Sequence, residues 1–316
     1  MKKKIFLYAR LLATTAIFFA LFKFIPYEQL IEVYSNSDKL YLVLAFFIFY
    51  CALSLCVARW RFLLSSLGLT ISFREVIYSY YSGLFLNLFF PSYIAGDIFR
   101  GFSMSYRHGS LKKVASSILM DRFSGVTALV LLASTCFFFG AEILKDRIVI
   151  VTLFILSFFI GISFLIIFSK TFFLLLMSVF KDDSALKRKL VSFHDQLYFF
   201  RENPSVFIKA LLLSFLSQFL LAWGFFIASL AFGSKINIIY FLILVPIILA
   251  IASIPLTIAG AGTREACTVY FFALVGMNKS IGLGIALLNL IFLVSAGILG
   301  GVIYVGVYHR RLQLNT

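Results

Sequence analysis

The chain is short of charge, and shorter still of acid. Asp, Glu, Lys and Arg make up 13% of its 316 residues, and 13 acidic side chains stand against 28 basic ones. With 62% of residues hydrophobic, that allotment cannot cover a soluble globule of this length. The longest polar-leaning stretch, 169–204, is too short and too mixed to form a soluble domain. Histidine is scarce, and His108, His194 and His309 fall singly in basic connecting segments. The four cysteines, Cys51, Cys56, Cys136 and Cys267, sit in apolar runs without metal-ligand spacing and read as small buried hydrophobes. No metal site, cofactor or catalytic residue is therefore expected, because no nucleophile stands near a base and no ligands cluster. The formal charge of +15 is broken into short clusters between apolar runs, which argues against a nucleic-acid partner.

What the chain has in excess is apolar. Forty Phe residues and recurrent apolar runs near 20 residues predict an all-α polytopic membrane protein. Six full spans are expected, at about 5–25, 40–58, 114–139, 148–168, 206–231 and 281–305. Arg59-Trp60-Arg61 closes the second, with Trp60 read as an interfacial anchor. The first is read as an uncleaved span, because Arg10 interrupts it and no small-residue cleavage site follows. Two further apolar segments, 77–90 and 236–254, run into Pro/Gly breaks and are read as re-entrant hairpins. The second of these is the weak point, being long enough at 19 residues to cross. Between 186 and 200, Leu186, Leu190, Phe193, Leu197 and Phe200 recur at spacings of three and four, opposite Lys187, Arg188 and Lys189. That pattern makes an amphipathic connector on the membrane surface.

The inner connecting segments of this path carry seventeen Lys and Arg, the outer ones five. The asymmetry puts both termini inside. One hairpin then dips from each face, an inverted repeat. The expected organisation is a single membrane domain over 1–316: a first repeat at about 1–168, a connector at 169–205 and a second repeat at 206–316.

The two breaks resemble each other. Pro91-Ser-Tyr-Ile-Ala-Gly-Asp-Ile-Phe-Arg100 and Pro255-Leu-Thr-Ile-Ala-Gly-Ala-Gly-Thr-Arg264 agree at five of ten positions. Backbone breaks at Pro91, Gly96, Pro255, Gly260 and Gly262 need shelter from hydrocarbon, because each unpaired backbone group there costs several kcal/mol. The ionisable residues expected at membrane depth are Asp97, Arg100, Asp121, Arg122, Arg264 and Glu265. Charge in the membrane is expensive, so this set is the candidate substrate-binding site. Asp97 and Arg100 share a helical face at i,i+3. Arg264-Glu265 opens a helix whose N-terminus follows two glycines and suits an anion. Arginine forks match phosphate. The chemistry indicated is recognition of an anionic group, with structural ion pairing as the competing role.

These motifs resemble the lysylphosphatidylglycerol synthase transmembrane-region family, flippase-like membrane proteins with P-x-x-x-G-G-D-x-x-R in one half and P-x-x-x-G-G-x-G-x-R-E in the other. Asp121-Arg122 resembles that family's acidic-Arg pair. The chain departs at Ala95 and Ala259, where the first Gly of each pair is expected. It departs again at Asn289-Leu290, where relatives often place an Arg. The resemblance implies an inner-membrane (plasma-membrane) lipid flippase that moves a lipid with an anionic or phosphate-bearing head group between leaflets. Aminoacylated phosphatidylglycerol and lipid-linked saccharides are the substrates it suggests. The family's full-length synthases add a cytoplasmic aminoacyltransferase domain that this sequence lacks, so the chain is not expected to be an enzyme by itself. The alternative is an accessory subunit for a separate glycosyl- or aminoacyltransferase, or part of a phosphatidylglycerol lysyltransferase system.

Overall fold

The computed structural model describes residue 12 and residues 14–23, 25–89, 94–139, 146–178, 185–254, 257 and 260–309. The fold is all-helical, with no strand among the described residues. In chain order the helices are α1 (Thr14–Lys23), α2 (Tyr27–Ser35), α3 (Lys39–Ser66), α4 (Phe73–Phe89), α5 (Ile94–His108), α6 (Leu111–Phe139) and α7 (Arg147–Phe168). There follow α8 (Lys170–Met177), α9 (Ala185–Glu202), α10 (Pro204–Ala231), α11 (Ile238–Ala252), α12 (Thr263–Leu274) and α13 (Lys279–Ile303), which ends in a π-helical turn, Tyr304–His309.

Five of these, α3, α6, α7, α10 and α13, are long and apolar enough to cross a membrane. Of the sixth expected span, 5–25, residues 5–11, 13 and 24 lie outside the described residues, and α1 is the helix of its described part. Pro91, Pro255 and Ala259 also lie outside them. Short polar side chains set the starts of the long helices. Asp38, Asp146 and Asn278 accept from the backbone N–H two residues on, in α3, α7 and α13.

The hairpin arms are short. α4, α5, α11 and α12 have 17, 15, 15 and 12 residues. At about 1.5 Å per residue they reach roughly 18–26 Å, against about 30 Å of hydrocarbon. The 236–254 segment thus yields a helix too short to span at right angles to the membrane. α4 and α5 run antiparallel: Ser79 meets Ser103 at 2.7 Å, and one end further on Asn87 meets Gly96. α11 and α12 pack in the same way, Phe241 against Phe272 with ring centroids 4.6 Å apart.

Each half of the core repeats one order: a long helix, two short ones, a long one. α3, α4–α5 and α6 correspond to α10, α11–α12 and α13. α3 packs along α10, so the two first helices meet at the centre. Each short pair also packs across onto the last helix of the other half, α4 on α13 and α11 on α6. The contact of α4 with α13 is backbone-close because Gly297, Gly300 and Gly301 face Leu88, Tyr81 and Phe85. A Cβ on Gly300 would overlap the Tyr81 carbonyl. α7 lies at the periphery, on α6, α8 and α9.

Two expectations are corrected here. α3 does not stop at Ala58 but continues to Ser66, and Trp60 is fully buried instead of sitting at the interface. Arginine marks a span terminus in hydropathy terms, yet the apolar pattern resumes beyond it with Leu63 and Leu64, both buried. Secondly, the apolar face of α9 does not lie free on a membrane. Leu197 and Phe200 are buried against Leu63, Met120 and Ile167.

Candidate anion-binding site in the helix core

The site begins at the N-terminus of α5. Asn87 on α4 accepts from the Gly96 N–H at 2.7 Å, which occupies one donor of that helix end. Gly96 also lets the two arms close, since a Cβ there would overlap the Gly83 carbonyl. Asp97 then falls in the first turn, where the helix dipole favours a carboxylate. One turn on, Arg100 donates to Asp97 Oδ1 at 2.6 Å. Its guanidinium lies over the adjoining rings of Trp60 and Tyr80, 4.6 and 4.7 Å from their centroids.

α6 supplies two adjacent charges, and adjacency on a helix turns them in different directions. Arg122 grips Asp97 with both ends of its fork, Nε to Oδ2 and Nη2 to Oδ1 at 2.8 Å each. Asp121 turns inward, accepts from Arg59 Nε at 2.7 Å and lies 3.5 Å from Arg100 Nη1. Arg59 donates onward to Ser214 Oγ on α10, also at 2.7 Å. The order Arg59–Asp121–Arg100–Asp97–Arg122 thus stitches α3, α5 and α6 together with α10 at one end. Arg59 and Asp121 are buried, whereas the Arg122 side chain is 47% exposed. A cavity of about 80 Å³ lies here, lined by Tyr80, Asn87, Gly96, Asp97, Arg100 and Arg122 among others. It has room for two or three waters at about 30 Å³ each, or for a small oxyanion.

Arg264 and Glu265 form a separate group. They stand on α12, which packs on α11 and α13, whereas α5 packs on α4 and α6. Glu265 Oε1 accepts from Arg264 at 2.7 Å, and its Oε2 reaches back to the Gly262 N–H at 2.6 Å. The helix start that the sequence reserves for an external anion is thus capped by a carboxylate of its own. Gly260 and Gly262 have φ of +69° and +87°, a region open chiefly to glycine, which explains their place in the motif. The structure accordingly brings four of the six expected side chains together and holds Arg264 and Glu265 apart.

Sequence reasoning missed Arg59, Tyr80, Asn87 and Ser214. Only Arg59 left a signal: the apolar run resumes just beyond it at Phe62, Leu63 and Leu64. Its inclusion changes the electrostatics. The cluster holds two carboxylates and three guanidiniums, an excess of one positive charge among the described residues.

An all-helical fold of long apolar helices and paired short ones, with charge buried between them, defines a polytopic membrane protein. The chain belongs to the lysylphosphatidylglycerol synthase TM region family, whose model matches residues 7–301. It is similar to a UPF0104 membrane protein of Methanocaldococcus jannaschii, 24% identical over 291 residues and covering 85% of each chain. A UPF0104 membrane protein of Pyrococcus horikoshii is 23% identical over 322 residues, covering 92% of this chain and 93% of the relative. No solved structure matches it significantly.

Proposed function

We propose that the protein is a lipid flippase of the plasma or inner membrane that carries an anionic, phosphate-bearing lipid between leaflets. The observation that carries this reading is the unbalanced guanidinium in the α5–α6 cluster, with Arg122 half open beside a small cavity that Asp97 and Arg100 also line. A buried excess charge is unfavourable unless an ion of opposite sign compensates it, and a lipid phosphodiester supplies one negative charge. Arg122 and Arg100 would hold the phosphate through charge-assisted hydrogen bonds, with Asp97 setting their geometry. Asn87 and Tyr80 stand within the same cavity as neutral partners for a polar head group.

The two crossed short-helix pairs support alternating access. Rocking one half against the other would move the head group past them while the acyl chains stay in lipid. In this reading both chain termini are cytoplasmic, α4–α5 dips from inside and α11–α12 from outside. The chain acts by binding and movement, without a reaction of its own.

Purified protein in vesicles, with labelled phosphatidylglycerol in one leaflet, tests the reading. Interleaflet movement should exceed that in empty vesicles and should fall in Arg122→Gln with insertion unchanged. No movement above background for phosphatidylglycerol, its aminoacyl form or a polyprenyl phosphate would overturn transport in favour of an accessory role beside a transferase.

A further inference from the structure

The correspondence between the halves fails at one place. α6 packs closely along α10, with Phe123 stacked on Phe207. Its counterpart would be α3 along α13. Those two instead touch only through reaching side chains, Tyr50 on Ser295 at 2.9 Å and Phe46 and Phe49 on Phe292. One turn beyond that contact they part. The gap is an apolar groove of about 470 Å³ between α3, α4 and α13, with Ser54, Val57, Ile77, Tyr81, Leu299 and Val302 on its walls. Leu299 and Val302 are 48% and 69% exposed on a helix long and apolar enough to span, so the groove opens sideways along that helix.

The groove also adjoins the charged site. Val57 on its wall is three residues from Trp60, and Tyr81 is next to Tyr80. Trp60 and Tyr80, with centroids 6.1 Å apart, are the two rings that the Arg100 guanidinium lies over. One aromatic pair therefore separates a sideways-open apolar trough from the guanidinium of the anion site. We infer that this groove is an acyl-chain site: it holds one chain of the anionic lipid whose head group occupies the Arg100–Arg122 site, with Trp60 and Tyr80 as the wall between them. The inference rests on the lipid-binding reading above. An acyl chain suits the groove because its lining is apolar, it opens sideways, and it lies beside a site that takes the polar end of the same molecule.

The chain has two tryptophans, so its own fluorescence reads the groove. Trp223 is 40% exposed and Trp60 is fully buried. With Trp223→Phe, Trp60 becomes the sole reporter, and bromine on an acyl chain quenches it only by close approach. Vesicles containing brominated phosphatidylglycerol should quench Trp60 about twofold more deeply than equal fractions of brominated phosphatidylcholine, the effect of a modest binding preference. Ser54→Phe with Val302→Phe fills the groove from exposed positions and should abolish that difference. Equal quenching by the two lipids, or a preference that survives the filling, overturns the inference. Movement measured in the same vesicles separates the two claims. Charge-selective movement without the quenching preference removes the groove and leaves the transport reading. The preference without movement does the reverse.

Discussion

Arg59 on α3 and Asp121 on α6 are joined at 2.7 Å across 62 residues of sequence, both almost fully buried. This pair joins two long helices to each other, whereas the more accessible Asp97–Arg122 pair ties the short helix α5 to α6. The two ion pairs therefore have different expected roles, and mutation separates them.

Arg59→Met leaves Asp121 buried with only the longer 3.5 Å contact to Arg100. The loss should be roughly 3–5 kcal/mol, as for a broken buried pair. Thermal unfolding in detergent measures it. The double change Arg59→Met with Asp121→Leu should recover much of that loss, because an apolar pair replaces the stranded charge.

Arg122→Gln should behave in the opposite way. Its side chain is half exposed and Asp97 keeps Arg100 as a partner, so stability should change by less than about 1 kcal/mol. Affinity for a short-chain anionic lipid should fall about tenfold or more, since a hydrogen bond to a charged group contributes about 1.5–3 kcal/mol. Titration calorimetry on the detergent-solubilised protein checks both halves of the statement.

Close packing of α13 on α4 gives a test of the fold that is independent of charge. Gly300→Ala would drive a Cβ into the Tyr81 carbonyl, whereas Gly161→Ala on α7 meets nothing within 4 Å. The first should destabilise by about 1–3 kcal/mol through overpacking. The second should be neutral or slightly stabilising, as for a helical Gly changed to Ala. Paired melting curves decide the matter.

The α8–α9 connector carries the expected pH dependence. His194 is buried, stacks on Phe173 at 3.9 Å and holds the Ile166 carbonyl at 3.0 Å through Nε2. Burial pushes its pKa below the ordinary value, with Lys170 acting in the same direction and the backbone bonds and Asp195 opposing. A depressed histidine is neutral in the folded state, so folding is unaffected well above about pH 6.5 and is opposed as pH falls below that unfolded value. Amide exchange in α8 and α9 should therefore quicken between about pH 7 and pH 5 relative to α10. His194→Phe should remove that difference.

Topology is tested by single cysteines at exposed positions. Lys235 and Lys279 should react with an impermeant thiol reagent from outside, and Arg74 and Arg188 only after permeabilisation. Reaction of Lys279→Cys from the cytoplasmic side alone would contradict the crossed-hairpin arrangement.

Composition and run length alone determined the class of this chain. Helices are the way a backbone buries itself in hydrocarbon, so apolar runs translate directly into α3, α6, α7, α10 and α13. Of the glycines expected as backbone breaks, Gly260 and Gly262 have left-handed backbone, whereas Gly96 lies inside α5 and serves its close approach to Gly83. What the sequence did not carry is which charges meet. Arg59 and Trp60 read as a membrane edge because hydropathy scores a residue by its neighbours in the chain. Their burial comes instead from α5, α6 and α10 closing around them. Arg264 and Glu265 look equivalent to Asp97 and Arg100 in pattern, yet adjacency lets Glu265 cap its own helix and satisfy Arg264 locally. Pairing is a property of distances between elements, and only the packing of α4 and α5 against α6 and α13 set those distances.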